Sequence, residues 1–333
     1  MIAHRGASGY RPEHTLASYE LAIRLGADFV EPDLVSTADA VLVARHENEI
    51  GGTTDVARHA EFARRRCTKV VDGVEVTGWF VEDFTLAELK SLRAVERLPQ
   101  VRPGNTRYDG RFEVPTFDEV LELAAREGRR RNVTIGVYPE TKNPTYFASI
   151  GLPLSAPLVT TLRAHDLDRP NAPVFVQSYE VGTLQELATM TRVPLVQLLD
   201  DSGGPYDLVA AGGSTSFADL ATPQGLRSIA TYAAGVGPEK DLLLPRSADG
   251  SMLPPTSLVA DAHAAGLFVH AYTLRDENRF LPADLQLAGG PDAKGDAFGE
   301  YERLLDLGVD GFFCDYTDTG VQARDWWQER RAS

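Results

Sequence analysis

The chain has 333 residues, of which 43% are hydrophobic and 24% are charged, an ordinary balance for a globular protein that can bury a large core. Its net charge of −15 argues against nucleic acid and anionic membranes as partners, because both are repelled by an acidic surface. The sequence contains no apolar run of about 18 residues, so it predicts no transmembrane helix.

Short β-rich runs alternate with helical periodicity along most of the sequence, which indicates parallel βα units. The candidate strands are 1–4, 28–34, 41–46, 133–140, 173–178, 194–199, 233–237, 267–274 and 310–315. The link between 28–34 and 41–46 is too short for a helical crossover between parallel neighbours. It forms either an extended crossover or a hairpin, and the sequence does not decide between them. The candidates number one more than an eight-stranded barrel needs.

The segment from about 48 to 113 interrupts this alternation, and we predict that it is an insertion on the rim of the barrel. Directly after it, Thr116 and Glu119 predict a capping box at the start of a helix. Two long loops, 200–222 and 275–298, follow later strands. Loops of that length usually form functional lids or walls.

The first candidate strand begins at the second residue, Ile2, although strands usually run about five to six residues. We therefore expect that upstream residues have been removed and that the protein is secreted or periplasmic. A cytoplasmic location stays open.

Three carboxylates lie at the carboxyl ends of candidate strands. Glu31 and Asp33 are two residues apart in one strand and point the same way, since strand side chains alternate faces. Glu140 ends the fourth candidate. Three acids close together inside a barrel would be costly unless a cation neutralised them. Their hard oxygen atoms predict one divalent cation, with Ca²⁺ favoured, Mg²⁺ second and zinc unsuited.

Two cations and two histidines accompany these acids. Arg5 and Lys142 supply the local positive charge that an acidic protein needs beside a phosphate. His4 ends the first candidate strand and His46 the third, and such a pair can act as general acid and general base near neutral pH. The combination indicates phosphodiester cleavage rather than glycoside hydrolysis, which uses two flanking acids without metal or lysine. The competing interpretations are hydrogen-bonded core histidines and plain ion pairs between the acids and the two cations.

Other polar residues carry weaker predictions. Gln177 and Tyr272 are predicted to line the substrate site. His14 either lines the site or only fixes its loop. His270 shares a face with Tyr272 by alternation and could equally fill the core. The remaining histidines are interpreted as structural: His59, His165 and His263.

The segment from His4 to Thr15, which reads His-Arg-Gly-Ala-Ser-Gly-Tyr-Arg-Pro-Glu-His-Thr, resembles the signature of the glycerophosphodiester phosphodiesterase family, in its longer periplasmic and secreted branch. Further segments resemble the family in the family's order: 30–34, 43–46, 53–56, 83–86, 114–117, 138–142, 176–178, 235–238, 269–273 and 311–315. Any one of these is weak evidence, but the ordered set is specific and covers nearly the whole chain.

The resemblance implies a single domain over 1–333, a TIM (β/α)8 barrel with a small insertion after the third strand. It implies metal-dependent hydrolysis of glycerophosphodiesters, such as glycerophosphocholine, to glycerol 3-phosphate and an alcohol. Carried over onto matching positions, the family's roles make His4 and His46 the catalytic pair, Glu31, Asp33 and Glu140 the metal ligands, Arg5 and Lys142 the phosphate ligands, and Glu13 a supporting residue. The sequence has no obvious Ser or Cys nucleophile, which fits attack by the substrate's own 2-hydroxyl.

Glu47 departs from the family, where an Asp follows the second catalytic histidine. If that Asp orients the histidine, the longer side chain shifts the geometry and puts the rate and pH optimum in question. Two alternatives compete with the main prediction: a phospholipase D-like enzyme of the same superfamily acting on lysophospholipids, and a barrel that has lost turnover. The polar loops favour soluble diesters. Headgroup preference, the order of the histidines and the oligomeric state are not given by the sequence.

Overall fold

The computed structural model describes residues 1–332, which form thirteen strands and twelve α-helices. The strands are β1 (Ile2–Ala3), β2 (Phe29–Val30), β3 (Asp33–Ser36), β4 (Leu42–Ala44), β5 (Cys67–Val71), β6 (Val74–Gly78), β7 (Gly136–Val137), β8 (Glu140–Thr141), β9 (Val176–Ser178), β10 (Leu195–Leu199), β11 (Gly235–Pro238), β12 (Phe268–Leu274) and β13 (Gly311–Cys314). The helices are α1 (Leu16–Leu25), α2 (Leu86–Leu89), α3 (Phe117–Arg131), α4 (Pro144–Ser149), α5 (Ser155–Ala164), α6 (Val181–Met190), α7 (Tyr206–Ala210), α8 (Phe217–Leu220), α9 (Pro223–Ile229), α10 (Leu258–Ala264), α11 (Ala297–Asp306) and α12 (Thr317–Ala332).

Parallel pairings close the sheet into a barrel. β1 pairs with both β2 and β13, β2 pairs with β7, β3 pairs with β8, and the series continues from β8 through β9, β10, β11 and β12 to β13. Strands β2 and β3 are one barrel strand interrupted at Pro32, and β7 and β8 are one strand interrupted at Pro139. Proline has no backbone N–H, so it breaks the ladder. The result is the predicted eight-stranded TIM barrel.

The candidate strand at 41–46, which is one more than an eight-stranded barrel needs, lies outside the barrel. β4 pairs antiparallel with β3, with Val35 opposite Val43, so the short link forms a hairpin and the extended crossover is wrong. The insertion therefore follows the third candidate strand, as predicted. That strand is β4, which does not belong to the barrel. Within the insertion, β5 and β6 form an antiparallel two-stranded ribbon, followed by the short helix α2.

Local capping signals in the sequence are used as predicted. The side chain of Thr116 accepts a hydrogen bond from the backbone of Glu119, whose carboxylate accepts one from the backbone of Thr116. Two capped donors fix the start of α3, which packs beside α1 on the outside of the barrel. The terminal helix α12 packs Trp327 against the core. Within residues 1–332, none of the helices combines the length and the apolar character needed to cross a membrane.

Candidate active site

The predicted site residues lie together at the carboxyl ends of the barrel strands. A cavity of about 190 Å³ is lined by eight of the nine: His4, Arg5, Glu31, His46, Glu140, Lys142, Gln177 and Tyr272. The ninth, Asp33, is 1% exposed and lies against this wall, within ion-pair distance of Arg5. The loops after parallel strands build this face of a TIM barrel, so residues far apart in the sequence converge here.

The three carboxylates form one cluster. Oxygen atoms of Glu31, Asp33 and Glu140 all lie within 4.8 Å of one another, and all three residues are buried. Burial and the charges of Asp33 and Glu140 raise the pKa of Glu31 well above its usual range. Burial also raises the pKa of Glu140 to about 7, although Lys142 opposes the shift. Burial disfavours the Asp33 carboxylate too, but His14, Arg5 and Lys142 outweigh it and hold the pKa of Asp33 well below its usual range.

This cluster fits a hard divalent cation. Asp33 Oδ1 is buried and has no hydrogen-bond partner within the described chain, so it has a free lone pair facing a low-dielectric surrounding. Gln177 Nε2 donates to Glu31 Oε1 at 2.7 Å, and the backbone N–H of Arg5 donates to Glu31 Oε2 at 3.2 Å. These bonds orient the Glu31 carboxylate, as supporting contacts around metal sites do. Three oxygen donors and no nearby thiol match Ca²⁺ or Mg²⁺ better than zinc.

Two cations border the cluster. Arg5 Nε lies 3.2 Å from Asp33 Oδ2, and its Nη1 donates to Glu13. Lys142 Nζ donates to Glu140 Oε1 at 2.7 Å. The backbone turns sharply after β1, because Arg5 has φ +59° and Gly6 has φ +87°. A Cβ at Gly6 would lie 2.7 Å from the Ser18 carbonyl carbon, so only glycine permits the close approach of this turn to α1.

Each cavity-lining histidine has a carboxylate partner at Nδ1. His4 Nδ1 lies 2.5 Å from Asp315 Oδ1, and His46 Nδ1 lies 2.6 Å from Glu47 Oε1. Burial and the neighbouring Arg5 lower the pKa of His4 to about 4, against the opposing effect of Asp315. Burial, Arg5 and Lys142 lower the pKa of His46 to about 3. Each ring is therefore neutral at pH 7, and with Nδ1–H donating to the carboxylate its Nε2 is a proton acceptor.

The sequence left two alternatives for His14 and two for His270, namely a place in the site wall or a structural role. His14 is fully buried, with Nε2 2.9 Å from Asp33 Oδ2 and Nδ1 2.7 Å from the Tyr19 hydroxyl. It fixes its loop and orients Asp33 rather than lining the cavity. His270 packs against the rings of Phe268 and Tyr138 in the barrel interior. It fills the core.

The other three histidines lie outside the barrel interior, His59 in the insertion and His165 and His263 at outer helices. His59 is within 3.4 Å of Asp55, His165 within 2.9 Å of Asp118, and His263 within 2.9 Å of Asp310. These three are not among the residues that line the cavity. The placements also leave His4 and His46 as the two imidazoles on the wall of that cavity.

Several residues of the site escaped the sequence analysis. Tyr179, Glu239 and Arg275 also line the cavity. Each is the first residue after a strand, β9, β11 and β12 respectively. The rule that side chains at the carboxyl ends of barrel strands face the active site, applied to every strand, would have found them. Asp315 follows β13 in the same way. Arg97, which pairs with Glu47, lies in the insertion and has no such signal.

A second space of about 360 Å³ adjoins the first. It shares His46, Glu140, Lys142 and Tyr179 with it, and its far side is formed by Asp200, Gly204, Tyr206 and Phe217 from the long loop after β10 and its short helices. The predicted long loop 200–222 thus forms a wall beside the site. A ligand larger than a phosphate group has room to extend in this direction.

Comparisons with known proteins agree on one family. Residues 4–319 match the model of the glycerophosphoryl diester phosphodiesterase family. A glycerophosphodiester phosphodiesterase of Arabidopsis thaliana is 36% identical over 329 residues, covering 95% of this chain and 83% of the relative. One from Bacillus subtilis is 32% identical over 324 residues, again covering 95% and 83%. The solved structure of an Oleispira antarctica phosphodiesterase, in complex with the product sn-glycerol-3-phosphate, has a TM-score of 0.63 at 20% identity and covers 97% of this chain and 96% of its own.

Proposed function

Because the chain belongs to the glycerophosphoryl diester phosphodiesterase family, we propose that it hydrolyses glycerophosphodiesters, such as glycerophosphocholine, to glycerol 3-phosphate and an alcohol with the help of one divalent cation. It is an enzyme of this class, since relatives of moderate identity over most of the chain carry that name. The particular substrate, the ion and the roles of single residues belong to the proposal.

Glu31, Asp33 and Glu140 would hold the cation. The support is their mutual distance, their burial and the unpartnered Asp33 Oδ1. When bound, the ion would offset negative charge on the phosphate oxygens, with Ca²⁺ the first choice and Mg²⁺ the second. Three buried acids in contact are otherwise an unfavourable arrangement.

The chain's own side chains would bind the phosphate and move the protons. Arg5 and Lys142 border the acid cluster and offer donors to the phosphate oxygens, while Gln177 and Tyr272 line the same wall. One histidine, through Nε2, would take the proton of the glycerol 2-hydroxyl as that oxygen attacks phosphorus. The other would first take up a proton from solvent at its Nε2, beside the bound anionic phosphodiester, and would give that proton to the departing alcohol oxygen. The roles would then reverse while water opens the cyclic phosphate, so no covalent intermediate with the protein is needed.

One observation carries this proposal. Two imidazoles line one cavity, each held at Nδ1 by a carboxylate, and the acid cluster and both cations line or adjoin the same cavity. A binding protein would not need two proton-transfer groups oriented in this way. The arrangement corresponds to general acid–base catalysis on a bound phosphodiester.

The experiment is the pair of variants His4→Ala and His46→Ala, assayed for release of glycerol 3-phosphate from glycerophosphocholine. Each variant should lose most turnover while keeping the parent's circular dichroism and thermal unfolding. His165→Ala is the matched control, because this histidine pairs with Asp118 on the surface and should leave turnover unchanged. Turnover near the parent's level in either cavity variant would defeat the assignment, and persistence of activity in EDTA would defeat the role of the cation.

The alternative substrates have a specific observation in their favour. Val209 and Leu287, in the two long loops, are 49% and 57% exposed, and exposed apolar residues can contact an acyl chain. Neither residue lines the cavity or the adjoining space, and the wall formed by 200–222 presents both polar and apolar side chains, such as Asp200 and Phe217. A comparison of glycerophosphocholine with lysophosphatidylcholine separates the two, and turnover of either rules out a barrel without activity.

We also propose that the protein is exported. The support is the resemblance of the His4–Thr15 segment to the periplasmic and secreted branch of the family. Fractionation of the source cells with an antibody against the chain tests this. Recovery of the protein only from the cytoplasmic fraction would contradict it.

A further inference from the structure

We propose that Arg97 and Arg102, two arginines of the insertion, are positioning residues for the two histidines: each holds the carboxylate on which one imidazole rests. The inference rests on the proposed function, because it concerns the orientation of His4 and His46. It assigns to the insertion a catalytic contribution, although none of residues 48–113 lines the 190 Å³ cavity.

The His46 side of this arrangement runs through Glu47. Arg97 Nη1 donates to Glu47 Oε1 at 2.8 Å and Nη2 donates to Oε2 at 2.5 Å, which is a bidentate pair. Glu47 Oε1 in turn lies 2.6 Å from His46 Nδ1. Arg97 Nη2 also lies 2.8 Å from Glu13 Oε1, so the guanidinium is tied to the loop that carries Arg5.

The His4 side repeats the arrangement. Arg102 Nη2 donates to Asp315 Oδ2 at 2.6 Å, and Asp315 Oδ1 lies 2.5 Å from His4 Nδ1. Arg102 Nε donates to Glu277 Oε1 at 2.7 Å, and the Arg102 side chain is only 5% exposed. The two arginines are five positions apart in one segment, yet they contact the carboxylate partners of two histidines from different elements. His4 follows β1 and His46 follows β4.

The need for an external clamp is greatest at Glu47. The Glu47 side chain is 42% exposed, and a glutamate has one more rotatable bond than an aspartate, so more conformations compete with the one that contacts His46. A planar guanidinium that binds both carboxylate oxygens fixes the carboxylate plane, which a point charge does not. A fixed carboxylate fixes the rotation of the imidazole and hence the direction of Nε2. Arg97 thereby offsets the extra length of Glu47.

The Arg97 arm is tested with Arg97→Met, Arg97→Lys and the control Arg93→Met. Arg93 is in the same segment but contacts Glu113 and backbone carbonyls. We expect Arg97→Met to lower kcat on the order of 10-fold to 100-fold, as loss of a supporting contact typically does, with KM changed by less than about 3-fold. Arg97→Lys should recover only part of kcat, and Arg93→Met should match the parent. A normal kcat, or a loss confined to KM, would overturn the role of Arg97.

A double variant separates this role from an effect through Glu13 and Arg5. If Arg97 acts through Glu47, then Glu47→Ala and Glu47→Ala/Arg97→Met should have the same kcat, because alanine already removes both acceptor oxygens and the second change removes no further contact with residue 47. Losses that multiply would show that Arg97 acts elsewhere and overturn the proposal.

The Arg102 arm needs a variant that still folds, because removing Arg102 alone would take its charge away from two buried acids, Glu277 and Asp315. Arg102→Gln combined with Glu277→Gln removes one charge of each sign, and Asp315 keeps its contact with Arg275 at 3.0 Å. This variant should fold and lose kcat with KM unchanged. A parent-like kcat would overturn the role of Arg102. Retained turnover in His4→Ala or His46→Ala would instead defeat the proposed function itself.

Discussion

Replacing Glu140 with Gln should stabilise the metal-free protein and abolish its response to a divalent cation. Glu140 lies within 4.8 Å of Glu31 and Asp33, and each such pair of charges repels by about 3.5 kcal/mol at an effective dielectric constant of about 20. Lys142 at 2.7 Å returns about 6 kcal/mol on the same scale. Asp33 and Lys142 shift the pKa of Glu140 in opposite directions, and burial is the largest cost of ionising it.

The pKa of Glu140 gives the size of that cost. Burial raises this pKa from 4.5 to about 7, which corresponds to about 3 kcal/mol of destabilisation once the group is ionised in both states, above pH 7. Between pH 4.5 and about pH 7, Glu140 is protonated in the folded protein and ionised in the unfolded chain. The destabilisation therefore develops as the pH rises through this range and is absent below pH 4.5. Gln mimics the protonated form and can keep the contact from Lys142 through its oxygen. With about 2.1 cal/mol/K per residue of unfolding entropy, 3 kcal/mol corresponds to about 4 °C.

The assay is thermal unfolding of parent and Glu140→Gln at pH 8, in EDTA and with Ca²⁺. In EDTA the variant should unfold about 4 °C above the parent. With Ca²⁺ at about 100 times its dissociation constant the parent should gain about 2.7 kcal/mol and the variant almost nothing. The matched control is Glu300→Gln, which breaks a buried pair with Lys240 and should destabilise equally in both buffers. A variant less stable than the parent in EDTA, or an equal gain from Ca²⁺, would refute the interpretation of the cluster.

Two further predictions address the phosphate site and the pH dependence of stability. Lys142→Met should weaken binding of glycerol 3-phosphate by about 10-fold or more, because one charge-assisted hydrogen bond is worth about 1.5–3 kcal/mol; calorimetry with Ca²⁺ present measures this, and unchanged affinity would contradict it. Burial raises the pKa of Glu180 from 4.5 to about 7 against the bonds from Thr145, so the folded state binds the extra proton and stability should fall by up to about 3 kcal/mol between those pH values. Urea unfolding of Glu180→Gln should show a flatter pH profile than the parent, and an identical slope would remove Glu180 as the cause.

The sequence was informative where strand geometry places side chains by rule. Alternation and the carboxyl-end position bring Glu31, Asp33 and Glu140 together, because parallel strands of a barrel end at one rim. The prolines at 32 and 139 interrupt two neighbouring strands at this rim, which marks both places in the sequence without requiring any tertiary information. The same rule applied to every strand end would also have given Tyr179, Glu239, Arg275 and Asp315.

The remaining features depend on contacts that no local pattern encodes. His4 and Asp315 are 311 positions apart, and only closure of the barrel by β1 and β13 brings them within hydrogen-bond distance. The hairpin of β3 and β4 was undecided because a short link permits either direction until the pairing partner is known. Arg97 lies in an irregular segment, where neither period 2 nor period 3.6 predicts the direction of a side chain.

The electrostatics of the site bear on how an acidic protein could bind a phosphate at the proposed position. Arg5 lies between Glu13 and Asp33, and Lys142 lies on Glu140, so each cation already has an acidic partner in the protein. A phosphate that entered this arrangement alone would meet cations that are already paired with acids, inside a chain of net charge −15, with little to favour it over solvent. A divalent cation bound by the acid cluster would add two positive charges there. It would also weaken the ion pairs that the acids make with Arg5 and Lys142. We therefore expect the acid cluster and the two cations proposed to bind phosphate, Arg5 and Lys142, to be electrostatically coupled, so that a substitution in either changes the charge balance of the other.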